Sequence, residues 1–301
     1  MQTGQSARAA IGMRPAGQNN PQAAAADMDC VTAFRSVARD CLAKLEAQHL
    51  GIIAGDAEAL HQARIAMSQF RAAVAFFAPM TSDAAWPKLK NELAWLYAIL
   101  GDARDADVMA ALAHRKRYRK WAQRVGAHDS TERRKLHRRV AACMRSARFR
   151  RLMGALSRWV EGGLWMTSQD QGAQRRRAAP LKTYSQRQLK RWRARVIRKG
   201  RGLAAMGAES RHRLRIKVKR YRYALESLSG ICPAGERAKL RQLQKPAKRL
   251  QRALGDLRDL QRLRRIGTAP SRPPGYREQK KRLLAAARVA FRGIKQSLPA
   301  L

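Results

Sequence analysis

Acidic residues are scarce in this sequence. Its 301 residues include 21 Asp and Glu against 64 Lys and Arg, a formal charge of +43. A compact chain so charged repels itself unless something anionic neutralises it. Nucleic acid, polyphosphate and an anionic membrane surface are the partner classes that fit. Cysteine is sparse as well. Cys30, Cys41, Cys143 and Cys232 form no CxxC pair, and read as reduced, mostly buried thiols of a cytoplasmic protein. No apolar run approaches the roughly 20 residues needed to span a bilayer, so no membrane segment is expected. No alternating strand pattern stands out. Also missing are a Gly-rich phosphate loop, an acidic metal cluster and a nucleophile–base pair, which argues against an enzyme acting on polyphosphate or nucleotides.

The charge that is present is unevenly placed. Residues 1–60 hold five basic and six acidic residues, so the excess lies beyond them, inside segments of helical period. A basic tail would show the reverse. The field therefore belongs to a folded surface. Residues 1–28, rich in Ala, Gln and Gly, have no apolar central region of a secretory signal and read as a disordered lead.

A charged pattern then occurs twice. Residues 61–77 read HQARIAMSQFRAAVAFF and residues 212–228 read HRLRIKVKRYRYALESL. His61, Arg64, Ile65, Phe70 and Arg71 recur as His212, Arg215, Ile216, Tyr221 and Arg222, each 151 residues on. A second phrase follows each copy, LGDARD at 100–105 and LGDLRD at 254–259. Two linked motifs repeated in the same order mark two copies of one unit. Helical periodicity places helices near 30–50, 57–78, 84–115 and 130–161, then near 182–206, 209–229, 235–266 and 276–297. The expected organisation is an all-α protein of two tandem four-helix bundles: a first repeat over 29–161, a linker over 162–181 and a second repeat over 182–297. Pro246 predicts a kink or interruption in the third helix of the second repeat.

At 100° per residue, Ala63, Met67, Phe70, Val74 and Phe77 form an apolar stripe, matched by Leu214, Val218, Tyr221, Leu225 and Leu228. Beside the second stripe, His212, Arg215, Lys219 and Arg222 fall within an arc of about 80°. Four such groups within three turns repel each other, and an anionic ligand explains an uncompensated stripe better than open solvent does. Arg recognises phosphate oxygens in bidentate fashion and Lys acts as a mobile point charge. The first copy offers His61, Arg64 and Arg71, with Ser68 where the second has Lys219, so the first half should bind less strongly. Lys245, Arg249 and Arg252 add charge on the 235–266 helix. Asp102, Asp105, Asp256 and Asp259 of the repeated phrase read as acids that pair with Arg and orient it. Arg at nearly every neighbouring position opposes a bound cation, so neither metal nor cofactor is expected. Gly101 and Gly255 allow close approach of helices or a bend. The alternative is a nucleic-acid binder. Tyr118, Trp121, Tyr184 and Trp192 lie in basic stretches and supply candidate stacking platforms.

These phrases resemble the CHAD family, named for conserved histidines in an α-helical domain. The likeness covers roughly 30–297 and rests on His61-x-x-Arg64 with Arg71, on Leu100-Gly101-x-x-Arg104-Asp105-x-Asp107-Val108, and on the second-half counterparts. It implies two four-helix bundles related by a pseudo-twofold axis around a basic central groove or pore. It also implies non-catalytic binding of inorganic polyphosphate and association with polyphosphate granules in the cytoplasm. The family's motif residues map onto His61, Arg64 and Arg71, and onto His212, Arg215, Lys219, Arg220 and Arg222. Two departures stand out: Ser68-Gln69 replaces a frequent basic pair, and the second phrase runs into Leu260-Gln261 instead of a further Asp-Val. No ExExK pattern of a fused triphosphate-tunnel domain is present, so the chain reads as a stand-alone protein. Weak non-specific nucleic-acid binding is expected beside polyphosphate, and the sequence leaves the oligomeric state open.

The asymmetry between the copies gives a first test. Reversing Arg215, Lys219 and Arg222 to Glu should lower polyphosphate affinity, read by fluorescence titration, more than reversing Arg64 and Arg71. Equal losses would refute the asymmetry, and no loss in either variant would refute the stripe.

Overall fold

The computed structural model describes residues 28–124, 130–265 and 272–297. Apart from Met28, the expected N-terminal lead lies outside them. Among the described residues every regular element is helical, and Asp29 and Pro180 make an isolated β-bridge. The first part of the chain forms α1 (Cys30–Glu46), α2 (His49–Ile53), α3 (Ala57–Thr81), α4 (Trp86–Ala113), α5 (Lys116–Arg124), α6 (Ser130–Arg145) and α7 (Ala147–Gly162). A 3-10 turn (Leu164–Met166) and α8 (Gln171–Arg177) follow, then α9 (Leu181–Lys199), α10 (Ala208–Ile231), α11 (Ala234–Leu263) and α12 (Tyr276–Gln296). No helix among the described residues is long and apolar enough to cross a membrane.

Local sequence explains the boundaries. Asp56 starts α3 by accepting the Glu58 N–H at 2.7 Å, an N-cap that satisfies an orphan donor. The single helix expected over 130–161 is two, because Ser146 accepts the Phe149 N–H at 3.1 Å and caps a new start. The helix expected over 182–206 stops at Lys199. Gly200 lies where an added Cβ would fall 2.2 Å from the Phe291 ring, and Gly202 has φ 70°. Of the kink or interruption that Pro246 predicts, the interruption is not seen: α11 runs continuously through it. The short α5 has no counterpart in the sequence reading.

α3 packs against α1 and α4, with α7 against both of those and α6 against α4. α10 packs against α9 and α11, with α12 against α9 and α11. The two groups meet where α3 lies on α10. Both apolar stripes are buried in full, Ala63 to Phe77 and Leu214 to Leu228. Each large side chain so buried contributes about 1.5–3 kcal/mol.

One hydrophobic cluster runs through both groups. Tyr184 of α9 stacks on Phe77 of α3, centroids 5.5 Å apart, and its hydroxyl donates to the Phe76 carbonyl at 2.8 Å. Trp192 meets Phe76 edge-on at 5.4 Å. The segment between the repeats is packed as well: Trp165 is fully buried and meets Phe34 edge-on. Because the halves share this core, they should unfold together. Tyr184→Phe removes the buried hydrogen bond to the Phe76 carbonyl, costing about 0.5–1.5 kcal/mol. Urea unfolding should shift to a lower midpoint and stay a single transition, whereas two separated transitions would show the halves to be independent.

Candidate anion-binding site

The contact between α3 and α10 brings the two stripes face to face. A cavity of about 390 Å³ opens there. Arg64 and Arg71 reach it from α3, and His212, Arg215, Lys219 and Arg220 from α10. Arg258 of α11 and Asp102 and Asp105 of α4 complete its charged lining. A second cavity of about 280 Å³ shares His212, Arg215 and Arg258 and adds Arg211, Arg262 and Arg265.

Glycine makes this geometry possible. Arg64 lies along α4, its Nη1 donating to the Tyr97 carbonyl at 2.9 Å. A Cβ on Gly101 would fall 3.0 Å from that same Nη1. A Cβ on Gly255 would lie 3.5 Å from Arg215 Nε. The glycine of each repeated LGDxRD phrase therefore faces the arginine of the HxxR motif in its own repeat. The sequence assigns these glycines to helix approach or a bend, whereas what approaches is a guanidinium.

Of the acids of the phrase, Asp105 orients arginine, and it does so across the repeats. Arg258 of the second phrase donates to both oxygens of Asp105 of the first, each at 3.1 Å, and Arg262 adds a contact at 2.6 Å. Burial raises the Asp105 pKa, but the hydrogen bond and charge of Arg262, with Arg258 and Arg64, outweigh it and hold the carboxyl below its ordinary range. Burial instead raises Asp256 and Asp259.

At the remaining cations burial dominates, offset in part by Tyr97 and Asp105 at Arg64, by Tyr97 at Lys219 and by Asp259 and Tyr97 at Arg215. Burial lowers the pKa of Arg64, Arg215, Lys219 and Arg220, with further lowering by Arg258 at Arg64 and Arg215 and by Arg71 at Arg220. Arg215 Nε is buried with no hydrogen-bond partner, a donor left for something the protein does not provide. Burial, helped by Arg104, also lowers His61.

Not every predicted residue faces the cavity. His61 stands outside the lining, within electrostatic reach of Arg64 and Lys219. Arg222 is turned away: its Nε donates to Gln251 Oε1 at 2.8 Å and its Nη1 pairs with Glu226. Glu226, one turn on, compensates it as a helical i,i+4 partner. Lys245, Arg249 and Arg252 are exposed on α11 and line neither cavity. The stacking candidates Tyr118, Trp121, Tyr184 and Trp192 are all buried. Conversely, Tyr97, Arg211, Arg258 and Arg262 were not among the sequence candidates. Arg258 sits inside the repeated phrase, and that was the available signal. Tyr97 lies one turn before the first phrase and belongs to no repeated pattern.

A family model described as the CHAD domain matches residues 36–266. The crystal structure of the CHAD domain from the plant Ricinus communis is similar in fold, with a TM-score of 0.67 at 23% identity, covering 92% of this chain and 95% of that one. No curated protein matches.

The two glycines should respond differently to alanine. Gly255→Ala makes an ordinary contact and should gain about 0.5–1 kcal/mol of helix stability. Gly101→Ala should displace the Arg64 guanidinium and weaken anion binding by about 0.5–1.5 kcal/mol, one hydrogen bond's worth. Urea midpoints and titration with a phosphate chain check both. Unchanged affinity in Gly101→Ala would show that the seating of Arg64 does not matter.

Proposed function

The chain belongs to the CHAD domain family, and on that premise we propose that it binds inorganic polyphosphate, without turning it over, in the cavity shared by α3 and α10. The family is associated with polyphosphate binding in general. The observation that carries the reading is the convergence of Arg64 and Arg71 with His212, Arg215, Lys219 and Arg220 on one cavity, where Arg215 Nε has no partner. A polyphosphate chain carries about one charge per phosphate and no bases. It can satisfy these donors in succession, displacing counter-ions as it does so. The neighbouring cavity, entered past the shared His212, Arg215 and Arg258, extends the path for a longer chain. A protein that holds the polymer this way collects where the polymer does, at cytoplasmic granules.

Binding without turnover fits the chemistry of the lining. Of the two carboxylates in the lining, Asp105 is occupied by Arg258 and Arg262, which keeps that one from serving as a base or a metal ligand. Nucleic acid is the weaker reading, because single-strand binders stack bases on exposed aromatics and Tyr118, Trp121, Tyr184 and Trp192 are buried. His61 adds a pH dependence. Burial and Arg104 hold its imidazole low in the empty protein, and a bound polyanion favours the imidazolium. Affinity should therefore rise as pH falls through the range in which the imidazole takes up its proton.

A competition titration tests the proposal. Labelled long-chain polyphosphate is bound, then challenged with single-stranded DNA, RNA and duplex DNA at several salt concentrations. Polyphosphate should win by about a hundredfold or more per phosphate, about 2.7 kcal/mol. Equal competition per phosphate would reduce the site to a general polyanion trap.

A further inference from the structure

Tyr97 occupies the seam between the repeats. Its phenol oxygen lies 3.0 Å from Lys219 Nζ of α10 and 3.3 Å from Ser68 Oγ of α3. The guanidinium carbons of Arg64 and Arg71 lie 4.3 and 5.0 Å from its ring centroid. The Ser68 hydroxyl has one proton and two acceptors in reach, the Arg64 carbonyl at 2.7 Å and the Tyr97 oxygen. With the phenol neutral, Tyr97 donates to Ser68 and Ser68 donates to the carbonyl. With the phenol ionised, its oxygen accepts from both Lys219 and Ser68. The geometry accommodates either state.

We propose that Tyr97 is a built-in counter-anion: in the empty site its phenolate neutralises Lys219 and Arg64, and an incoming phosphate chain takes over that role while the phenolate takes one proton from solvent. This rests on the anion-binding reading above. The ligand is chemically unchanged, and the O–H bond that forms on Tyr97 uses a proton released by water or buffer.

The surroundings favour the ionised form. α3 presents Arg64 and Arg71; α10 presents His212, Arg215, Lys219, Arg220 and Tyr223; α11 presents Arg258. On α4 itself, Asp102 lines the cavity, and Asp105 is held by Arg258 and Arg262. α7 meets α4 elsewhere, Arg148 lying over Trp95, about 200° around the helix from Tyr97. Burial alone raises a tyrosine, as it does Tyr184, Tyr221 and Tyr223. At Tyr97 the charges of Lys219 and Arg64 and the hydrogen bonds from Lys219 and Ser68 outweigh burial and bring the phenol down to about 7. The empty site therefore holds phenolate above about pH 7, and a bound polyanion shifts the group back toward phenol. Affinity then falls with rising pH, by up to about tenfold per unit above that point. The second repeat cannot do this. Counting from its phrase, the matching position is Gln251, which accepts a hydrogen bond from Arg222 and does not ionise.

Ultraviolet absorption of the full chain tests the proposal, with inorganic tripolyphosphate as the probe and calorimetry to establish binding. In ligand-free protein a tyrosinate band should grow with a midpoint near pH 7 and be absent from Tyr97→Phe. Tripolyphosphate added at about pH 8 should remove it. Lys219→Met should move the midpoint up toward the ordinary tyrosine value of about 10, and it decides the matter if Tyr97→Phe does not fold. The proposal is overturned if no tyrosine ionises near neutrality, if the band persists in Tyr97→Phe, or if tripolyphosphate binds and leaves the band unchanged. Should tripolyphosphate fail to bind at any pH, the proposed function fails with it. The ligand-free band needs no ligand, and its presence or absence then supports or overturns the counter-anion by itself.

Discussion

Repulsion between cations held together where α3 meets α10 governs the rest of this structure. Two like charges 4 Å apart cost about 4 kcal/mol at an effective dielectric of 20, and this cavity gathers side chains from both stripes and from α11. The protein's own anions are few and specifically assigned. Asp105 takes Arg258 and Arg262, and Glu226 takes Arg222. The repeated phrase thus works as a clamp, the first copy supplying the acid and the second the arginine. Arg64, Arg71, Arg215, Lys219 and Arg220, by contrast, form no ion pair with an acid among the described residues.

With acids so scarce, arginines elsewhere turn to backbone carbonyls. The last carbonyls of a helix have no partner within it and form the negative end of its dipole. Arg193 of α9 donates to the Ile294, Lys295 and Ser297 carbonyls at the end of α12, at 3.1, 2.8 and 2.6 Å. Arg177 likewise ties down the segment between the repeats, donating to the Trp165 and Ser168 carbonyls at 2.6 and 2.8 Å. Some of the arginines therefore hold helices together, and the number of basic residues is a poor guide to the number of ligand contacts.

The same distinction explains what was legible in the sequence. Apolar spacing is a property of one helix, so both buried stripes could be read directly, from Ala63 to Phe77 and from Leu214 to Leu228. Helix starts that depend on one residue, such as Ser146, were harder, because a serine in a helical pattern looks like a surface position. Arg64, Arg71, Arg215, Lys219 and Arg220 all line the cavity, and the sequence signal for them was their position on a helix. Arg222 shares their arc but is held away from the cavity by Gln251, on another helix, and by Glu226, partners that helix position alone does not reveal. Tyr97 was invisible for a similar reason. Its importance comes from Lys219, Arg64 and Arg71, which reach it from two other helices.

The asymmetry of the site lies in the positions where the two repeats differ. If the first repeat carried lysine at position 68, two ammonium groups would compete for the Tyr97 oxygen at the seam. Serine there avoids that repulsion and supplies a hydroxyl that can either donate to or accept from the phenol. The substitution that looks like a weakened first half is therefore part of the environment of Lys219, which serves both repeats. Gly101 and Gly255 retain the shared geometry, each leaving room for an arginine of its own repeat, while Tyr97 and Gln251 have become different in kind. A symmetric pair of stripes would hold a polyanion with two equal faces. This protein sets Lys219 and Arg64 against an ionisable group on one side only, so its two halves differ through the contact between them and not only through the number of charges on either.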